Sequence, residues 1–218
     1  MEWAEWRPLY LRIMDDLDFD ILADMRSAEK LSELVVSKKI LGYRTIVDRL
    51  GQRVSIIGAS ASLERDIGTL SEEDTVISAG SATARLMKNG IIPDILVTDL
   101  DGDVDYEVEA IDKGSLAFIH AHGDNLDRIN EIVPRLTMPF IPTVQCQPFG
   151  NVYNFGGFTD GDRAVLIASH FGVKNIRTLG WDLEHPFIKE GSDPDMKLRK
   201  LRWAREILSR SIDYGVRL

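Results

Sequence analysis

Asp99, Asp101 and Asp103 stand at alternate positions in "PDILVTDLDGD", directly after the apolar run Ile95, Leu96 and Val97. Three carboxylates so close repel one another, and a divalent cation is the usual species that makes such a loop worthwhile. Oxygen ligands of this hard kind suit Mg²⁺, which typically takes one or two carboxylates together with substrate phosphates. Asp99 and Asp101 are therefore expected as direct or water-mediated ligands, with Asp103 as a further candidate. Turn and capping roles alone would not explain the strand-like run placed immediately upstream.

Other stretches carry candidate chemistry of the same kind. In "FIHAHGDN" two of the four histidines, His120 and His122, precede Gly123, Asp124 and Asn125. No cysteine or third histidine lies near enough in sequence to support zinc. His120 suits a core position, whereas His122, Asp124 and Asn125 suit contact with a phosphate or with metal-bound water. "FGGFTDGDRA" offers Thr159, Asp160 and Asp162 where a helix should begin, so helix capping and ligand contact can coexist there. "TLGWDLEHP" adds Gly180 and Asp182, with Trp181 presenting a flat face to a ring or closing the core. Two small-residue loops, "GASASLE" with Gly58, Ser60 and Ser62 and "AGSATARL" with Gly80 and Ser81, would let backbone approach a phosphate. The first lacks the glycine spacing of a dinucleotide fingerprint, and a plain capped turn explains it as well. In "KLRKLRWAREIL", Lys197 and Lys200 either form a solvated basic face or reach ligand phosphates.

The elements that must position these residues follow from the texture of the chain. Residues 1–50 hold little Gly or Pro and place apolar residues such as Leu31, Leu34 and Val35 at helical spacing, which predicts a helical N-terminal extension. From Val54 onward, short apolar runs end in small or acidic residues, and helix-length segments lie between most of them, including 81–90, 124–135 and 160–171. That alternation predicts an α/β domain over 51–218, a doubly wound and mainly parallel sheet closed by a C-terminal helix. Ligands bind beyond the carboxyl ends of such strands, where Gly58, Ser60, Gly80, Ser81, Asp99, Asp101, His120, His122, Asp124, Gly180 and Asp182 all fall.

Composition bounds the function. With 218 residues, 44% of them hydrophobic, the chain can bury one sizeable core. Acids outnumber bases 35 to 26, and the net charge of -9 disfavours a phosphate-backbone footprint, so nucleic acid is not expected as a partner. The single cysteine, Cys146, excludes an internal disulfide and an all-cysteine metal site, and nothing around it marks a nucleophile. No apolar run approaches the roughly 20 residues of a membrane span, and the N-terminus lacks a signal core. A soluble, cytoplasmic protein is expected.

The run "VISAGSATARLMKNGIIPDILVTDLDGD" resembles thiamin pyrophosphokinases, with "G-x-x-P-D" followed by a strand ending in Asp-x-Asp. The later "FTDGDRAVLIASHFGVKNIRTLGWD" resembles that family as well. The "DLDG" and "HGDN" loops, "GASASLE", the helical N-terminus and the "KLRKLRWA" tail are closer to a sister family, the archaeal-type 6-hydroxymethyl-7,8-dihydropterin diphosphokinases, over roughly residues 25–215. The resemblance implies the thiamin pyrophosphokinase catalytic-domain fold and a Mg²⁺-dependent transfer of diphosphate from ATP to a reduced pterin, leaving AMP. It implies that Asp99 and Asp101 hold the metal and that Asp124, Asp160 and Asp162 complete the metal or hydroxyl-activating set, and, since related kinases tend to be dimeric, a homodimer is expected. Asn154, Thr159 and Asp182 are candidates for the pterin. Thiamin is the alternative acceptor. "ILVTDLDGD" also resembles the nucleophile loop of haloacid-dehalogenase-type phosphatases, in which Asp99 would be phosphorylated and Asp101 would act as acid and base. A module that binds nucleotide or metal without chemistry is the non-enzymatic alternative.

Overall fold

In the computed structural model the described residues are 1–185, 193–211 and 216–217. The six apolar runs form neighbouring strands: β1 (Arg53–Ile57), β2 (Thr75–Ala79), β3 (Ile95–Thr98), β4 (Leu116–Ala121), β5 (Phe140–Val144) and β6 (Asn175–Leu179). A short β7 (Val216–Arg217) joins one edge, giving the order β5-β4-β3-β2-β1-β6-β7 with every pairing parallel. The central strands are buried on both faces, which is why they read as unbroken apolar runs rather than as alternating ones. Alternate residues serve opposite cores. Leu96, Ala117 and Ile119 join one cluster, while Ile95, Val97 and Phe118 join the other.

The connecting helices are α1 (Trp3–Leu17), α2 (Ile21–Val35), α3 (Tyr43–Arg49), α4 (Leu63–Asp66), α5 (Ala82–Lys88), α6 (Val104–Asp112), α7 (Leu126–Ile132), α8 (Asp160–His170) and α9 (Pro194–Ser211). The first fifty residues are helical and share the core of the sheet. Trp6, Leu9, Tyr10, Ile13 and Leu17 of α1, with Ala28, Leu31 and Val35 of α2, pack in the same cluster as Leu96, Phe140 and Val144. A left-handed residue, Asp18, ends α1, and the Asp20 side chain accepts from the Leu22 amide to start α2. No helix among the described residues is long and apolar enough to cross a membrane.

The chain builds β1 to β5 outward in one direction, then returns through α8 to lay β6 on the free side of β1. The connections after β1 and β6 therefore run toward opposite sides of the sheet, and a cleft lies at its carboxyl end, lined by residues of both loops. That topology positions the site.

A buried carboxylate ties three central strands. Asp74, just ahead of β2, bonds Arg53 of β1 and Arg177 of β6 and accepts from the Ser71 amide at 3.0 Å. Burial pushes its carboxyl up, but the Ser71 amide and the two guanidinium groups outweigh that and hold it below the usual range. Asp74→Ala should cost about 2 to 3 kcal/mol, less than for a fully buried pair because both arginines keep some solvent. The contribution is complete above the unfolded carboxylate value near 3.9 and disappears as pH falls through the lower folded value. Urea melts should therefore separate variant and wild type at pH 7, with the gap narrowing below about pH 4.

Candidate active site

The acidic loop owes its shape to the end of β3. Buried Thr98 donates to Glu107 Oε2 at 3.0 Å and accepts from the Leu100 amide at 2.8 Å. Leu100 lies in the left-handed region at φ 63° with its side chain fully buried. Burying that side chain offsets the backbone strain and leaves Asp99 and Asp101 on either side of it at the sheet edge. Asp160, the first residue of α8, completes the group: one carboxylate oxygen from each of Asp99, Asp101 and Asp160 lies within 4.8 Å of the others. Gly80, at φ 47°, leaves room for Asp160, since a side chain there would overlap Asp160 Oδ2.

The electrostatics of the group are divided. Burial pushes Asp99 up, but a 3.3 Å contact with His122 Nε2, a hydrogen bond with Asp101 and the Arg163 guanidinium hold it well below the usual range. Burial, then the charge of Asp99, push Asp160 well above that range despite its 3.0 Å bond from Arg163. Burial, then the Arg163 guanidinium, push His120 well below its ordinary value, and this core residue meets Thr143 Oγ1 through Nδ1 at 3.0 Å.

A cleft opens beside this group. Gly58, Ser60, Ser81, Thr159, Gly180 and Asp182 lie along it with the three acids, and Lys197 and Lys200 of α9 line it too. The structure thus brings both lysines to the site rather than leaving them on a wholly solvated face. Lys200 Nζ also sits 5.2 Å from the centre of the Phe19 ring, which packs against cleft residue Phe158.

Several sequence candidates take supporting places instead. The amides of Gly58, Ser60 and Gly80 bond Leu179 O, Gly180 O and Val97 O, so they are spent within the fold rather than left for phosphate. Two glycines serve Trp181. A Cβ on Gly58 would stand 2.7 Å from Trp181 Cδ1, and one on Gly161 would stand 2.9 Å from Cη2. Trp181 Nε1 donates to Ile56 O at 3.1 Å, so its ring is a fixed wall of the cleft. Ser62 donates to Asp66. Asp103 is exposed at the start of α6, outside the carboxylate group. Asp162 accepts from the Phe158 and Thr159 amides, each at 2.7 Å, and caps α8. Asn154 brackets the backbone of Gln145, Cys146 and Gly156 rather than facing the cleft. Asn125 is buried and donates to Asp99 O and His120 O, both at 2.7 Å, and Asp124 is exposed beside it.

Sequence reasoning missed Arg163 and Asp24. Arg163 is buried and three residues beyond Asp160, a spacing that pairs the two on one helix face. Asp24 shares the apolar stripe 24, 28, 31 and 35 of α2, where a carboxylate has no place unless something satisfies it.

Fold and site define an α/β enzyme with a carboxylate-rich cleft at the switch point of a parallel sheet. The family model described as 6-hydroxymethylpterin diphosphokinase MptE-like matches residues 25–186, and the chain belongs to that family, so it is a diphosphokinase. Curated proteins named 6-hydroxymethyl-7,8-dihydropterin pyrophosphokinase are similar over nearly the whole chain. That of Methanothermobacter thermautotrophicus is 38% identical, covering 100% of this chain and 94% of its own. That of Pyrococcus furiosus is 36% identical, covering 95% and 93%. That of Methanocaldococcus jannaschii is 34% identical, covering 96% and 95%. Among solved structures, the MAf glycosyltransferase from Magnetospirillum magneticum AMB-1 shares the fold, at a TM-score of 0.50 and 18% identity over 76% of this chain. The matched part is 31% of that glycosyltransferase chain.

Cys146 plays no part in this site. It is buried, and burial followed by the charge of Asp24 pushes its thiol up to about 12. A thiol-specific disulfide reagent at pH 8 should leave it unmodified in the folded protein and react fully after denaturation.

Proposed function

We propose that this chain transfers diphosphate from ATP to 6-hydroxymethyl-7,8-dihydropterin, with Mg²⁺ held by Asp99, Asp101 and Asp160. One observation carries the reading: three carboxylates converge on a cleft that two lysines also line. The donor set fits the ion. All three ligands are hard oxygens, and the strain of gathering them, visible in Asp160, is relieved by a dication. The choice of acceptor rests on the names of three relatives, all pyrophosphokinases of this pterin. Their names set aside the haloacid-dehalogenase reading of Asp99 and favour pterin over thiamin.

In the reaction the pterin hydroxymethyl oxygen attacks the β-phosphorus of ATP, its proton is released, and the bond from that phosphorus to the α-bridging oxygen breaks to leave AMP. Bound Mg²⁺ would neutralise phosphoryl charge and orient the donor. Lys197 and Lys200 offer the cleft positive charge of the chain's own, which strengthens as substrate excludes water. Arg163 keeps one oxygen of Asp160 engaged, while His122 and Asp101 fix the carboxylate of Asp99. Trp181, held against Gly58 and Gly161, gives the cleft a rigid aromatic wall on which a flat ring can lie.

Incubation with ATP, Mg²⁺ and the pterin should release AMP, and a parallel tube with thiamin should not. AMP from thiamin alone would transfer the mechanism to another acceptor, and none from either would sink the reading. Asp99→Asn and Asp101→Asn should each lower kcat by at least about 100-fold with the circular dichroism spectrum unchanged.

Cation binding should also release protons, because Asp160 must ionise to become a ligand. Affinity should rise with pH through the elevated Asp160 value. Calorimetry in buffers of differing ionisation enthalpy should register the released proton in wild type and none in Asp160→Asn.

A further inference from the structure

Asp24 belongs to the N-terminal helices, yet its carboxylate reaches the loop that flanks the acidic cluster. It is 2% exposed and accepts three hydrogen bonds: Oδ1 from the Gly123 amide at 2.7 Å, and Oδ2 from Tyr10 Oη and Gln145 Nε2, each at 2.8 Å. The helix backs directly on the loop, since a Cβ on Gly123 would stand 2.9 Å from Ala23 Cβ.

Beyond Gly123 the contacts run to Asp99. The Asp124 amide donates to His122 Nδ1 at 3.3 Å, which makes that nitrogen an acceptor and leaves the ring N–H on Nε2. Nε2 faces Asp99 Oδ2 at 3.3 Å. Asn125 Oδ1 accepts from the His122 amide at 2.9 Å, while its Nδ2 donates to Asp99 O. The amide that fixes the His122 tautomer and the amide that Asp24 holds are therefore adjacent in the chain.

We infer that Asp24 is a positioning residue for the diphosphokinase site: by holding the Gly123 amide it fixes the loop that presents His122 and Asn125 to Asp99. The inference rests on the reading of Asp99, Asp101 and Asp160 as a cation site. Partners that orient a ligand side chain from outside the metal's own shell commonly change metal affinity or activity by 10- to 100-fold when removed.

The test compares Asp24→Ala, Asp24→Asn and Tyr10→Phe by three readouts: amide hydrogen exchange at 122–125, Mn²⁺ affinity, and kcat and KM for the pterin reaction. Asp24→Ala should speed exchange at 122–125, weaken Mn²⁺ about tenfold or more and lower kcat to match, leaving KM for the pterin within about twofold. Asp24→Asn keeps an acceptor oxygen for Gly123 and should recover most of the cation affinity. Tyr10→Phe removes a donor from the same buried carboxylate without touching the loop, so it should lower the unfolding midpoint while exchange and Mn²⁺ affinity stay near wild type. Should Asp24→Ala fail to fold, Asp24→Ser remains polar, is too short to reach Gly123, and carries the same expectations. Wild-type exchange at 122–125 in the shortened variant, or a Tyr10→Phe loss of affinity equal to that of Asp24→Ala, would overturn the inference. A wild-type protein that binds no Mn²⁺ would instead remove the cation reading, and the exchange comparison would still decide the tether.

Discussion

Repulsion among Asp99, Asp101 and Asp160 is the constraint around which the carboxyl edge of this sheet is built. Their ligand oxygens come within 4.8 Å, and the fold holds them there with unequal support. Asp99 has His122, Asp101 and Arg163 to favour its charge, whereas burial and Asp99 itself oppose the charge on Asp160. The group is thus held poised for a partner of opposite sign. Gly80, the strained Leu100 turn and the buried Arg163 all follow from the need to keep three acids together without letting them part.

The walls of the cleft obey a different rule, that of close approach. Trp181 fits only because positions 58 and 161 lack side chains, and the amides of Gly58 and Ser60 close onto the loop after β6. A loop that reads as a phosphate cradle is in fact a seam between β1 and β6 at the switch point. Positive charge enters the cleft from α9, which packs against both α1 and α8. The lining of the cleft is therefore gathered from residues spread between Gly58 and Leu201.

Much of this was legible in the sequence. Apolar runs at Val54, Thr75, Ile95, Leu116 and Phe140 announced the buried strands, because a strand buried on both faces has nothing else to offer, and the run at Asn175 announced a sixth that is only partly buried. The acidic loop announced itself through a surplus of like charge, and Asp160 through its place at a helix start. What stayed hidden depends on pairings between distant segments. Whether Gly58 serves a phosphate or an indole cannot be read until β6 lies beside β1. Lys197 and Lys200 look alike on a solvated helix and on a cleft wall until α9 has docked.

The acids in the two loops show why residue type and spacing alone stop short of a role. Asp160 and Asp162 sit in the same first turn of α8, yet Asp162 turns back to the amides of Phe158 and Thr159 while Asp160 faces the cleft. The capping geometry selects one acid of the pair, because N-terminal amides left without partners inside the helix draw the third residue of the turn inward. Asp103 starts α6, apart from the group that Asp99 and Asp101 enter. Before α6 the acid at the helix start stays outside the cluster, whereas in α8 the first residue joins it and the capping acid two residues later does not. The convergence of carboxylates is in that sense a property of one helix start and one strand end.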